Sequence, residues 1–269
     1  MGLNIDGQSI RTVALREARL ALASPAVLSV LALIIVGMIG LVIFTERKVG
    51  SVDSGDAADL FLSCFILVAT SIVIMMNTTL VGASICDEKD KRVTEILLSA
   101  VNPAELFLGK VLGAGFVGII QVAVAWLAVV VSLGASGLVD FADMNWSIAA
   151  ILLLSMGVAY FAFTGLFAFV GAMVSKNDQY TAAQLPVLIV LFGAMAVPFA
   201  PMLGWGSFGE GWVQNISWIP PLSMAGGPME YFFGDGRVWL LVVSLLGLFA
   251  FACVTLKVAE VQYRRRVLT

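Results

Sequence analysis

Residues 86–112 read CDEKDKRVTEILLSAVNPAELFLGKVL. A dense run of mixed charge lies between two long apolar stretches, in a chain of 269 residues that is 60% hydrophobic and 12% charged. A charge at the centre of a bilayer costs about 2.5–3.5 kcal/mol or more. These charges therefore belong in water, at the ends of helices that cross a membrane. A soluble domain carries roughly a quarter charged residues, and the mean hydropathy here is +1.01. Composition thus selects an integral membrane protein.

A span takes about 20 mostly apolar residues. Six stretches qualify: 26–44, 60–84, 111–133, 148–173, 184–203 and 238–256. They are continuously apolar rather than alternating, which excludes a closed barrel. The expected fold is all-α, one polytopic membrane domain over residues 1–269 with six transmembrane helices. The first apolar run is too long for a signal peptide and lacks a small-residue cleavage pattern, so it is expected to remain as its own insertion signal.

Basic residues concentrate in cytoplasmic loops. With both termini inside, every one of the 15 basic residues except Arg47, Lys48 and Arg237 falls on the inner side. The inner face is then net positive and the outer face net negative, so the pI of 5.0 carries no message about nucleic acid. Nucleic-acid binding calls for a basic stripe. The one basic cluster, Arg264, Arg265 and Arg266, sits at a membrane exit, where it suits headgroup anchoring. The chain has three cysteines and no histidine. Cys64, Cys86 and Cys253 fall in or beside spans without metal-ligand or disulfide spacing and read as small packing residues.

Residues 8–24 form an amphipathic pattern. Thr12, Arg16 and Arg19 share one face, while Ile10, Val13, Ala14, Ala18, Leu20, Ala21 and Leu22 cover most of the rest. This predicts an interfacial helix along the inner leaflet. Residues 205–237 hold Trp205, Trp212, Trp218, Tyr231, Phe232 and Phe233 among prolines and glycines. They are apolar yet too broken to span. Two readings stand: short re-entrant or interfacial helices forming an outer lid, with Pro220, Pro221, Phe232 and Phe233 as gate candidates, or an aromatic belt that anchors at the interface.

Within the charged stretch, a helix from Glu88 to Ala100 places Val93, Ile96, Leu97 and Ala100 on one apolar stripe. Lys89, Arg92, Glu95 and Ser99 lie opposite. Glu88 and Arg92 are spaced for an i,i+4 pair. Asn102, Pro103 and Glu105 supply a cap, a first residue and a capping acid for a second helix that runs through Lys110. This helix–turn–helix can dock its stripe in a groove of a soluble partner. The alternative is a solvated connector whose stripe packs on its own neighbours.

The segment resembles the cytoplasmic loop of permease subunits of ABC transporters of the second exporter type. The matching elements are Glu88-Lys89, Arg92, Thr94-Glu95-Ile96-Leu97-Leu98, Pro103 and Leu108-Gly109-Lys110. Ile219-Pro220-Pro221-Leu222-Ser223 with Pro228, and Tyr263-Arg264-Arg265 with Leu268, resemble the sodium-extrusion and drug-export branch. The large outer domain of that branch has no counterpart, because only residues 45–59 separate the first two spans. The resemblance implies that Lys89, Arg92, Val93, Glu95, Ile96 and Leu97 belong to a coupling helix (87–108) seated on a separate ATPase. It implies two ATPase copies that carry ATP and Mg, a second permease subunit, and a bacterial inner membrane.

The chain has no Gly-x-x-x-x-Gly-Lys-[Ser/Thr] loop and so no P-loop of its own. It is read as non-enzymatic and free of cofactor. No span carries an acid or base near its centre, which argues against a proton- or sodium-coupled carrier. Polar residues inside spans are candidates for a substrate path: Thr70, Ser71, Asn77, Thr78, Thr79, Gln121 and Gln184, with Ser63 and Thr164 beside them. Each competes with plain interhelical hydrogen bonding. The function expected is ATP-driven export of a drug, peptide, lipid-like molecule or cation from the cytoplasm or inner leaflet. An ATP-independent channel or carrier and a non-transporting scaffold or maturation subunit are the alternatives.

Overall fold

A computed structural model describes residues 7–22, 55–90, 103–136 and 145–267, with separate positions between 24 and 43. The described residues form nine α-helices: α1 (Gly7–Leu22), α2 (Gly55–Asp90), α3 (Pro103–Ser136), α4 (Trp146–Met173), α5 (Asn177–Ala183), α6 (Leu185–Ala196), α7 (Gly211–Ser217), α8 (Ser223–Phe233) and α9 (Val238–Val267). Five stretches are long and apolar enough to cross a membrane: Leu62–Glu88, Ala104–Ser132, Trp146–Met173, Asn177–Phe199 and Val238–Arg265. In the expected first span, the described positions from Leu28 to Ile43 are helical. The rest of that span lies outside the described residues. So do residues 91–102, which hold Arg92, Val93, Glu95, Ile96 and Leu97.

The long helices overrun the apolar limits read from sequence. α2 continues to Asp90, beyond the span limit at 84; α3 begins at Pro103, the first residue expected for it, and runs into the span from 111; α9 reaches Val267, beyond 256. Hydropathy marks only the part in lipid, whereas backbone hydrogen bonding carries each helix on into water. Pro103 starts α3 where a missing N–H costs nothing. The fifth stretch departs the other way. It turns at Gln184, resumes as α6, and ends in two 3-10 turns at Val197–Phe199 and Pro201–Leu203. Pro186 stands near the start of α6, while Pro198 and Pro201 remove donors that a continued helix would use.

α4 is the central helix, packed against both α2 and α9. Leu152, Met156, Phe163 and Phe167 on it are fully buried. Its neighbours approach closely because glycines face them. A Cβ on Gly171 would run into the backbone carbonyl of Gly82, and one on Gly165 would meet the backbone of Leu256 at 2.6 Å. Small residues at a crossing let two backbones meet, which is how helices associate where lipid removes the usual hydrophobic drive. α1 docks on α3 by the same device: a Cβ on Gly109 would lie 2.5 Å from Val13 Cγ1, and one on Gly113 would lie 2.7 Å from the Ala14 carbonyl. Much of the other surface of α3 is left open, with Leu112, Phe116, Ile119, Leu127 and Val131 exposed for lipid.

α7 and α8 fill the end of the bundle opposite Asp90 and Pro103. Gly226 lets α8 close on Ser217 of α7, and Gly227 lets it close on Ser244 of α9. The hydroxyl of Ser155 on α4 donates to the Met224 carbonyl of α8 at 2.6 Å. At this end the Asn145 N–H donates to Asp59 Oδ1 at 3.0 Å, joining the starts of α4 and α2.

Candidate functional site

α2 ends at Asp90 and α3 begins at Pro103, on either side of residues 91–102. A buried polar cluster joins these two helix ends. Lys110 of α3 forms an ion pair with Glu88 of α2 at 2.9 Å, with side chains 5% and 14% exposed. The same Nζ donates to Ser84 Oγ at 3.1 Å. Ser84 and Glu88 are four residues apart and so lie on one helix face. From α9, the Tyr263 hydroxyl donates to Glu88 Oε2 at 3.4 Å. The Tyr263 ring is fully buried and packs on Phe107 at 5.8 Å between centroids. Three long helices are thus fastened around one carboxylate. The Arg92 expected opposite Glu88 lies outside the described residues; among the described ones, Lys110 is the cation on Glu88. The signal available was a lone lysine at the start of an apolar run, and a tyrosine before the terminal arginines.

Lys89 falls in the last turn of α2. Glu105 is buried in the first turn of α3.

Deeper in the bundle, two of the predicted path residues meet. Asn77 Nδ2 of α2 donates to Gln121 Oε1 of α3 at 2.6 Å, and both side chains are buried. Asn77 also donates to the Val73 carbonyl at 2.9 Å. Thr78 turns its hydroxyl back onto the Ile74 carbonyl, as Thr164 does to Tyr160 and Ser63 to Asp59. Thr70 is buried, and Thr79 is half-buried with its carbonyl accepting from Tyr180. Ser71 Oγ and Gln184 Oε1 are different: both are buried without a hydrogen-bond partner. An unpaired polar group away from water is costly, so these two atoms have the most to gain from a polar guest.

At the opposite end, Pro221 is buried and Pro220 packs against Gly247 of α9. Phe233 pairs with Phe208 at 5.9 Å and Phe232 with Tyr231 at 4.9 Å. Sequence reading missed Glu230 of α8. It is buried, accepts from the Gly209 N–H through Oε1, and leaves Oε2 without a partner. It lines a small cleft with Gln214, Trp218, Asp235 and Arg237. Asp235 is bound by Arg237 at 2.7 Å and by Gln214 at 2.9 Å. Burial raises the Glu230 carboxyl above the usual carboxylate range; the Gly209 N–H lowers it, Asp235 raises it further and Arg237 lowers it.

Fold and site together define a polytopic helical membrane protein whose long helices are joined at one end by a buried polar cluster. The family model described as "ABC-2 family transporter protein" matches residues 44–258, and the chain belongs to that family. The family is one of membrane permeases that work with an ATPase partner and are not themselves catalytic. The chain is also similar to "Uncharacterized protein YhaP" of Bacillus subtilis (strain 168), 27% identical over 158 residues. That match covers 55% of this chain and 37% of the relative, so the chain spans well under two thirds of that protein.

Two outcomes follow from the geometry. Removing one member of a buried ion pair costs about 3–5 kcal/mol, because the other charge is stranded. Lys110→Met should therefore lower thermal stability of the purified protein sharply, and Glu88→Gln with Lys110→Met should recover much of the loss. Additive losses in a double-mutant cycle would show that the pair does not act as a unit. At the other end, a carboxyl raised in the folded state contributes stability that is fully present below the ordinary carboxylate pKa. That stability is lost as pH rises through the folded pKa. Tryptophan-detected melts should fall from acidic to neutral pH, and Glu230→Gln should flatten the slope; an unchanged slope would assign the titration elsewhere.

Proposed function

We propose that this chain is the permease subunit of an ATP-driven exporter in a bacterial inner membrane, with both termini cytoplasmic. It pairs with a second copy or a similar permease, and two separate P-loop ATPase subunits bind ATP and Mg. The cargo leaves the cytoplasm or inner leaflet; a drug, peptide, lipid-like molecule or cation fits the class. α1 lies along the inner leaflet, and residues 91–102 form the coupling helix, with Lys89, Arg92, Val93, Glu95, Ile96 and Leu97 against the ATPase.

The observation that carries this reading is the Glu88, Lys110 and Tyr263 cluster. It sits at the base of the coupling segment and joins α2, α3 and α9. A push on that segment is then delivered to three spans together rather than absorbed by a hinge, as rigid-body switching requires. The buried, unpartnered oxygens of Ser71 and Gln184 are the polar groups best suited to a cargo path. The Asn77 and Gln121 amides satisfy each other and serve as a fastening between α2 and α3. Pro220, Pro221, Phe232 and Phe233 form the outer gate.

The test is retention of the ATPase. Ile96→Asp with Leu97→Asp should insert normally yet lose ATPase on co-purification, by tenfold or more, as expected when two docked apolar side chains are replaced by charges. Full retention would refute the docking role.

A further inference from the structure

We infer that α1 carries a binding site for the headgroup of an anionic phospholipid, formed by Arg11, Arg16 and Arg19 around Leu15. Ile10, Val13, Ala14, Glu17 and Ala18 form the face turned to the bundle, and Ala18 is buried. The apolar side expected to rest in lipid is therefore largely taken up by α3, at Gly109 and Gly113. The other face is exposed: Gln8, Arg11, Thr12, Leu15, Arg16 and Arg19.

That face holds three cations and no acid. None of the three arginines is in a salt bridge among the described residues. Thr12 spends its hydroxyl on the Gln8 carbonyl. Thr12, Leu15, Arg16 and Arg19 line an open recess of about 430 Å³. α1 crosses α3 at Gly109 and Gly113, near the start of the apolar stretch Ala104–Ser132. This is the depth at which headgroups meet chains.

Guanidinium groups bind phosphate oxygens in a planar, bidentate fork. Leu15, 46% exposed among the arginines, offers an acyl chain a foothold that a soluble anion would not use. A lipid is therefore the occupant that fits both the charge and the leucine. The site rests on the chain crossing a bilayer and is independent of what docks at residues 91–102.

The full-length chain, purified in mild detergent and mixed with phosphatidylglycerol or phosphatidylcholine, tests this by native mass spectrometry. Each surface arginine contributes about fivefold to association with an anionic lipid surface. Replacing all three by Gln should weaken phosphatidylglycerol retention by roughly a hundredfold, with phosphatidylcholine unchanged. Arg→Lys at the three positions keeps the charge without the fork and should restore only part of it. The substituted side chains are exposed, and an unaltered melting profile of the Gln variant confirms that folding is intact. Equal phosphatidylglycerol retention by wild type and Gln variant would overturn the site. Displacement of the lipid by equimolar inorganic phosphate would also overturn it, by showing a plain anion site. ATPase co-purification is scored in the same preparations, so failure here and failure of the docking reading are told apart.

Discussion

A carboxylate and an ammonium almost withdrawn from water must stay together, and the pair formed by Glu88 and Lys110 is held to that rule. Each is anchored in a different long helix, and Tyr263 ties a third to the same carboxylate. Separating the helices would strand a charge in a low-dielectric setting, at a cost larger than most single contacts can supply. The base of the bundle therefore behaves as one body. α1 is seated next to it by the glycine steps at Gly109 and Gly113.

The far end is fastened differently. α8 is held by close backbone approach at Gly226 and Gly227, by the hydroxyl of Ser155, and by one buried acid on the Gly209 turn. Between the two ends, α4 provides a densely packed axis against α2 and α9. Close glycine contacts at Gly82, Gly165 and Gly171 make that axis stiff, since a packed crossing has little room to slide. A stiff axis joined to a rigid base is what the proposed coupling of the two ends requires.

Much of this was legible in the chain itself. Apolar runs separated by charge specify membrane spans, and the prolines and aromatics of 205–237 mark backbone too broken to cross. Partners between helices were not legible. Periodicity can relate Glu88 only to residues near it in sequence, such as Arg92; nothing local relates Glu88 to Lys110 or Tyr263. Likewise Asn77 and Gln121 each read as a possible path residue, since a polar side chain in a span has the same sequence signature whether it faces a cavity or a neighbour. Glu230 is not legible in sequence because an acid beside Tyr231 and Asp235 looks like a solvated loop residue. Its burial depends on α8 folding back onto the Gly209 turn. Hydropathy marks the part of a helix in lipid, while the helices that end at Asp90 and Val267 continue past the apolar runs.

The central claim is that the inner ends of α2 and α9 move as a unit when the ATPase turns over. Spin labels at Asp87 and Arg265, with the native cysteines replaced, would report that separation by pulsed electron resonance in the assembled complex. A distance distribution unchanged between nucleotide-free and nucleotide-trapped states, while labels across the opposite end of the bundle shift, is the predicted result. A clear parting of Asp87 from Arg265 on nucleotide trapping would contradict it.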